Sequence, residues 1–340
     1  MTALPQAAPV IAAPVIAAPV IAIVGPGRMG RGMAHAFAYT GHTVRLVDLK
    51  PRPEDAARAS LQAATDEIAR TVGIMAQAGA LPADQIAPVL ARVTTHGAAQ
   101  AEAAIADADL VLEGVPEIME VKRAAFARIG AAARRDAVIA STTSTFLVES
   151  LADLVPGPER FLNTHWLNPA YLIPLVEVSP GRRTDPAVLA RAMSLLRGAG
   201  KVPVQCAAAP GFIVPRIQAL ALNEAARIVA DGVATAEAVD TATRVGLGLR
   251  FAIIGLIEFI DWGGGDILYY ASNYLAEAFG DRRFAAPEIV ERNMARGATG
   301  MRAGAGFHDW QDRDIGAYQL ETLTKLIALL DHLKLLPVPK

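Results

Sequence analysis

Hydrophobic positions fall into two regimes along the chain. Up to Cys206 they come in short runs: Val20–Gly25, Thr43–Val47, Asp109–Glu113, Ala137–Ser141, Ile173–Val178 and Val202–Cys206, with the β-rich but more polar Arg160–His165 among them. Runs of this length, bounded by Gly, Pro or polar turns, predict buried strands. Ala-rich stretches with helical spacing lie between them, at 52–92 and around Lys122. Strands alternating with helices predict an open α/β sheet over residues 19–208. After Pro210-Gly211 the short runs stop. Helical stretches follow at Phe212–Asp231, Thr235–Val245, Phe251–Ala278 (interrupted by Gly263-Gly-Gly265) and Pro287–Arg296. Leu320, Leu323, Ile327, Leu330 and Leu333 mark an amphipathic helix near the C-terminus. Residues 209–340 therefore read as an all-α, strongly apolar second domain. Helices this apolar need a partner surface, which predicts a homodimer through this domain.

Composition narrows the function classes. A chain of 340 residues with a formal charge of −2 gives no electrostatic case for binding nucleic acid or an anionic membrane. The single cysteine, Cys206, excludes an internal disulfide and a Cys-based zinc cluster, and fits a reducing, cytoplasmic setting. No metal site is expected. No apolar run reaches transmembrane length without Pro, Gly or charge. The repeat Ala-Pro-Val-Ile-Ala occupies 8–12, 13–17 and 18–22. Its prolines forbid a helix, and Met1–Pro9 lacks the basic residues of a signal peptide. Residues 1–18 thus read as a low-complexity tail, with an edge strand or interaction arm as the alternative.

The first strand runs into Gly25-Pro-Gly27-Arg28-Met29-Gly30, which opens a helix expected to reach Tyr39. A GxGxxG between strand and helix is the dinucleotide fingerprint. The first glycine permits the tight turn and the second lets backbone approach a pyrophosphate. The third lets helix pack on strand, and the helix N-terminus faces the phosphates. The second strand ends in Asp48, 23 residues past Gly25, where an acid can bind the ribose hydroxyls and favour NAD over NADP. Lys50 and Arg52 lie within reach of a 2′-phosphate at the same strand end. A Rossmann domain follows from this context. Ligands of such sheets sit at loops after strand C-termini. That rule places Glu117, Thr142 and Ser144 on the rim; ordinary capping or turn roles are the alternative.

Asn163–Val178 carries the candidate chemistry. His165 and Glu177 stand twelve residues apart in an otherwise apolar run, with Asn168-Pro169 as the turn between two strands. This spacing lets the pair meet across a sheet edge. A carboxylate on one imidazole nitrogen fixes the tautomer and leaves the other nitrogen free to take a proton. A buried structural His–Glu pair is the competing reading.

Taken together, these residues resemble the 3-hydroxyacyl-CoA dehydrogenase family, over roughly Val20–Trp310. The resemblance rests on the GxGxxG with Asp48, Glu113-Gly-Val-Pro-Glu117 with Lys122, and Ser141-x-x-Ser144. It extends to His165-x-x-Asn168-Pro169, Glu177, Pro210-Gly211-Phe212-Ile213-Val214 and Gly304-x-Gly306-Phe307. It implies a Rossmann domain followed by an α-helical dimerisation domain, NAD as hydride acceptor and oxidation of a 3-hydroxyl. His165 then corresponds to the general base, Glu177 to its orienting carboxylate and Ser144 to the hydroxyl on the reacting oxygen. Glu117, Lys122 and Asn168 correspond to cofactor contacts. A 3-hydroxybutyryl-CoA-type substrate is the leading expectation.

Two departures bear on the substrate. The family's Asn-Arg after the Pro-Gly-Phe-Ile-Val run is Pro215-Arg216 here. The lost polar side chain leaves Gln218 or Asn223 as replacements. Where acyl-CoA members carry Pro-x-Gly-Pro, this chain reads Gly248-Leu-Arg250-Phe-Ala252-Ile-Ile-Gly255, similar to relatives acting on carnitine or gulonate. The helix after Asp48 also has few basic residues. The same hydride transfer on a small free hydroxy acid, with Arg250 on its carboxylate, is therefore the alternative. A non-catalytic dinucleotide-binding protein is the rival from another class. A decarboxylating β-hydroxyacid dehydrogenase would need a lysine between Lys122 and Lys201, where there is none.

Overall fold

Seven of the sheet's strands follow from the apolar runs, and an eighth joins at the edge. A computed structural model describes residues 19–337; the predicted tail at 1–18 lies outside the described residues. The strands are β1 (Val20–Val24), β2 (Thr43–Val47), β3 (Val93–His96), β4 (Leu110–Glu113), β5 (Val138–Ser141), β6 (Phe161–Trp166), β7 (Leu175–Pro180) and β8 (Val202–Gln205). They form one sheet in the order β3-β2-β1-β4-β5-β6-β7-β8. All neighbours are parallel except β6 and β7. The central strands are buried on both faces, as parallel strands covered by helices must be. Helices α1 (Arg28–Tyr39), α2 (Glu54–Gln77) and α3 (Met119–Ala132) connect them. One core lies on each face, around Phe37 and Leu46 on one side and Phe126 and Ile139 on the other.

Two expectations change. Residues 52–92 are not one helical block: the block resolves into α2 and a short helix at Ile86–Ala91, and β3 follows it. The His165 and Glu177 strands do not meet at a sheet edge, because β8 pairs with the outer side of β7.

The chain divides into two compact units at Leu220/Ala221, inside helix α4 (Val214–Ala230). The second unit holds helices at Ala236–Ala242, Leu256–Gly263, Gly265–Phe279, Glu288–Ala295 and Ile315–His332, with a π-helical turn at Thr243–Gly248. Its best-buried anchor is Trp310, whose indole Nε1 donates to Asp261 at 2.9 Å. Asp261 is itself buried and also accepts the backbone N–H groups of Phe307 and His308. A carboxylate taken out of water is satisfied here by three donors, which fixes the Gly304–Trp310 turn.

His35 on α1 gives the first unit a pH-dependent stability. It is buried, stacks on Tyr171 at 4.5 Å and lies 2.9 Å through Nδ1 from Thr71 Oγ1. The Thr71 hydroxyl donates to Ile68, so it accepts from Nδ1–H. Nε2 is buried with no partner among the described residues. Burial, helped by nearby Lys201, lowers the His35 pKa to about 4. A histidine with a depressed folded pKa takes its proton first in the unfolded state. Its contribution is therefore whole above the unfolded pKa of 6.5 and is lost as pH falls from there toward about 4. The loss is on the order of 3 kcal/mol. His42 and His96 are also lowered by burial and act with the same sign. We expect His35→Gln to flatten, not abolish, the fall in urea midpoint between ~pH 7 and ~pH 4.5. Equal slopes for wild type and variant would remove His35 from this account.

Candidate active site

The loop after β1 opens the site. Gly25 has φ 111°, and a Cβ there would lie 2.6 Å from the Gly114 carbonyl oxygen. A Cβ on Gly30 would lie 2.0 Å from the Gly25 oxygen, so helix and strand can approach only with glycine at that position. Around Gly27 the space is open, and no side chain caps α1 at this end. A bare helix N-terminus with room above its N-cap fits a pyrophosphate. Arg28 is exposed beside this turn, and Met29 packs onto the core beneath. Asp48, at the end of β2, is nearly buried. It accepts from Arg52 Nε at 2.9 Å and from the Lys50 amide at 3.0 Å. The cation foreseen near a 2′-phosphate is thus tied to the acid that would repel one.

Glu113, at the end of β4, is fully buried. It accepts from Ser141 Oγ at 2.6 Å, the Val115 amide at 2.8 Å and Lys122 Nζ at 2.9 and 3.0 Å. Burial pushes its carboxyl above the usual range, against the pull of Lys122 and Ser141. Lys122 is also buried and reaches Glu117 at 3.2 Å. Its ammonium stands between two carboxylates, Glu113 and Glu117. Glu117 Oε1 accepts from the Ser144 amide at 2.7 Å and Thr143 Oγ1 at 2.8 Å. Burial raises the Glu117 pKa, but these bonds and Lys122 outweigh it and hold the carboxyl below its ordinary value. Glu117 therefore shapes the loop that presents Ser144. The Ser144 side chain is exposed, and its hydroxyl has no hydrogen-bond partner among the described residues. Thr142 is half-buried at the same strand end, its amide bonded to the Glu113 carbonyl.

β6 and β7 place His165 directly opposite Glu177. His165 Nδ1 lies 2.6 Å from Glu177 Oε2. Glu177 is 0% exposed, and its other oxygen accepts the Ile213 and Val214 amides at 2.7 and 2.9 Å. These amides belong to the start of α4. The chain reaches them through Gly211 (φ 79°) and Phe212 (φ 44°). A phenylalanine in the left-handed region is strained. Its ring stacks on His165 with centroids 4.9 Å apart. The strained turn both covers the imidazole and aims two N–H groups at Glu177. With an ionised carboxylate on Nδ1, the proton sits on Nδ1 and Nε2 keeps its lone pair.

The loop after β6 carries Asn168, which is exposed, and the Asn168–Pro169 peptide is cis. Lys201 anchors this loop. Buried above Trp166, it donates to the carbonyls of Ala170 at 2.5 Å and Ile173 at 3.0 Å, and burial lowers its pKa to about 8. Pro215 falls in the first turn of α4, where its missing N–H costs no intrahelical bond. Gln218 and Asn223 are exposed further along that helix. In the second unit, Arg250 donates through Nε to the Gly246 carbonyl and lies 5.0 Å over the Phe259 ring. It borders an apolar cavity of about 110 Å³ with Ile253, Trp262 and Leu323. Sequence reasoning missed the structural weight of Lys201, Phe212 and Asp261. Only Phe212 carried a signal, as part of the Pro-Gly-Phe motif.

A phosphate-ready glycine turn, an acid at the end of the second strand and an imidazole with a free Nε2 on one sheet are the parts a nicotinamide-dependent alcohol dehydrogenase needs. Comparison with known proteins identifies the group. The 3-hydroxyacyl-CoA dehydrogenase NAD-binding domain matches residues 20–209, and the C-terminal domain of the same enzymes matches residues 211–310. The chain belongs to the 3-hydroxyacyl-CoA dehydrogenase family and is an NAD-dependent oxidoreductase acting on CH–OH groups. It is 33% identical over 308 residues to the 5-formyl-3-hydroxy-2-methylpyridine 4-carboxylate 5-dehydrogenase of Mesorhizobium japonicum, covering 90% of this chain and 96% of that one. It is 33% identical over 245 residues to the L-carnitine dehydrogenase of Pseudomonas syringae pv. syringae, covering 72% and 71%. The crystal structure of a 3-hydroxyacyl-CoA dehydrogenase from Archaeoglobus fulgidus superposes with a TM-score of 0.73 at 31% identity, covering 93% of this chain and 99% of that one. No helix among the described residues is long and apolar enough to cross a membrane.

Proposed function

We propose that the protein oxidises the hydroxyl of a small free hydroxy acid, with His165 as general base. The observation that carries the chemistry is the His165–Glu177 contact at 2.6 Å. Nε2 takes the hydroxyl proton while Glu177 stabilises the imidazolium, and the unpartnered Ser144 hydroxyl donates to the oxygen as the C=O bond forms. When bound, NAD accepts the hydride. Gly25, Gly27 and Gly30 with the α1 N-terminus would hold its pyrophosphate. Asp48 would hold its ribose, and Thr142, Glu117 and Asn168 would line the rim beside it.

The free-acid reading is favoured by α2. It carries only two basic residues, the arginines at 58 and 70, each in an exposed pair with a glutamate on the same helix at 2.9 and 2.6 Å, so few cations stand there for CoA phosphates. Arg250 has no acid partner among the described residues and is the candidate for the substrate carboxylate. The relatives acting on a pyridine carboxylate and on carnitine point the same way. The second reading, a 3-hydroxybutyryl-CoA-type activity, is favoured by the ordered run of motifs and by the Archaeoglobus relative. A homodimer through residues 209–340 is part of the proposal. The second unit leaves Val233, Ile267, Tyr270, Tyr274 and Leu320 exposed, more apolar surface than a lone helical unit normally shows.

NADH formation tested with free 3-hydroxy acids and their CoA thioesters separates the two readings. Turnover of a free acid whose KM rises tenfold or more in Arg250→Met supports the acid, since that is about the value of one charged hydrogen-bonded contact. Efficient turnover of the thioester, with Arg250→Met indifferent, establishes the acyl-CoA reading instead.

A further inference from the structure

Two residues before His165 on β6, and so on the same face of the strand, stands Asn163. It is 1% exposed. Its Nδ2 donates to the Phe146 carbonyl at 3.0 Å. A carbonyl can only accept, so the amide orientation is fixed and Oδ1 points the other way. That oxygen is buried with no hydrogen-bond partner among the described residues. Beside it lies a recess bordered by Asn163, Ser179, Thr145, Leu147, Ala209 and Phe212. Ser179 is directly opposite Asn163 on β7, one step along from the His165–Glu177 pair. Ser179 is buried, and its hydroxyl is also unpartnered among the described residues. Two residues of the recess adjoin the catalytic residues: Thr145 follows Ser144, and the Phe212 ring stacks on His165. Its volume of about 10 Å³ suits a single oxygen-sized group.

We propose that this recess is a specificity subsite for a hydroxyl group carried on the substrate several carbons from the reacting one. The inference rests on the free hydroxy-acid reading above. The two open partners decide the chemistry. Asn163 Oδ1 can only accept, so the incoming group must donate. The Ser179 hydroxyl can donate in return, so a group that both donates and accepts satisfies both. A hydroxyl does this. An alkyl end leaves the amide oxygen unpaired, and a carboxylate end sets acceptor against acceptor. Positions i and i+2 stand about 6.6 Å apart along a strand, the scale of the separation between hydroxyls three carbons apart on an extended chain. A site built to hydrogen-bond a hydroxyl rejects the analogue lacking it strongly, because its own buried groups are then left unpaired.

The test compares 3,6-dihydroxyhexanoate with 3-hydroxyhexanoate. In the wild type, kcat/KM for NADH formation should favour the dihydroxy acid by about tenfold or more. In Asn163→Leu that ratio should fall to about one or below, and in Ser179→Ala it should fall part of the way. The serine variant also serves if the leucine variant does not fold. A ratio near one in the wild type, or one unchanged in the variants, overturns the subsite and leaves a bound water as the occupant. Titration of the NADH complex with the same two acids separates this proposal from the functional reading. Selective binding of the dihydroxy acid without turnover keeps the subsite and sinks the dehydrogenase assignment for free acids. Binding with no selectivity, or none of either acid, overturns the subsite.

Discussion

Replacing His165 by Ala is expected to lower kcat by roughly 100- to 10,000-fold, the usual worth of a positioned general base. NADH affinity should stay near the wild-type value, because the nucleotide elements of β1, β2 and α1 make no use of the imidazole. The geometry supports the size of the effect. His165 is 5% exposed, clamped at Nδ1 by Glu177 and covered by Phe212, so a water entering the alanine variant cannot reproduce its orientation. The competing view, a buried structural pair, makes a different prediction: loss of stability with turnover of the remaining folded enzyme intact. Measuring kcat together with the urea midpoint distinguishes the two. Near-normal turnover in a folded His165→Ala enzyme would remove His165 from the mechanism.

The parts of this site that were legible in the sequence depend on short-range rules. The strand carrying Glu177 was an apolar, β-branched run and the stretch carrying His165 was β-rich, with a turn signal between them, and the structure sets the two residues opposite each other. The glycine turn was legible because backbone clearance is a property of residue type, and the same clearance appears as the short distances from Gly25 and Gly30. β3 was not legible. It is a half-exposed edge strand of Val-Thr-Thr-His with a single aliphatic residue, so neither a continuous run nor an alternation announces it. The path of charge from Glu113 through Lys122 to Glu117 was hidden for another reason. The motif named the residues, but spacing alone cannot say which way a lysine points, and this one turns inward between two acids. The unpaired oxygen of Asn163 was equally invisible, since it exists only where Phe146, Ser179 and Phe212 come together in space.

Glu177→Gln is expected to be nearly as damaging as loss of the histidine, by a route that leaves the packing in place. The glutamate holds two backbone amides on Oε1 and the imidazole on Oε2. In the glutamine variant only one of these positions can be an oxygen. Two N–H donors from Ile213 and Val214 face one of them, so the amide oxygen should stay there and the NH2 should turn to His165. Nδ1 must then present its lone pair, and the ring proton moves to Nε2. The nitrogen that should accept the substrate proton becomes a donor. The imidazole is in place but in the wrong tautomer, and no carboxylate remains to stabilise the imidazolium. An acid-to-amide change behind a catalytic histidine costs about 10⁴-fold in the serine-protease triad, where the geometry is likewise preserved. We expect a loss of about 10³- to 10⁴-fold here. The urea midpoint should change little, because the substitution conserves volume and removes a buried charge. Single-turnover hydride transfer with bound NAD is the measurement to make, since it isolates the chemical step from product release. A rate within tenfold of wild type would mean that the carboxylate does not set the tautomer. The contact at 2.6 Å would then be structural.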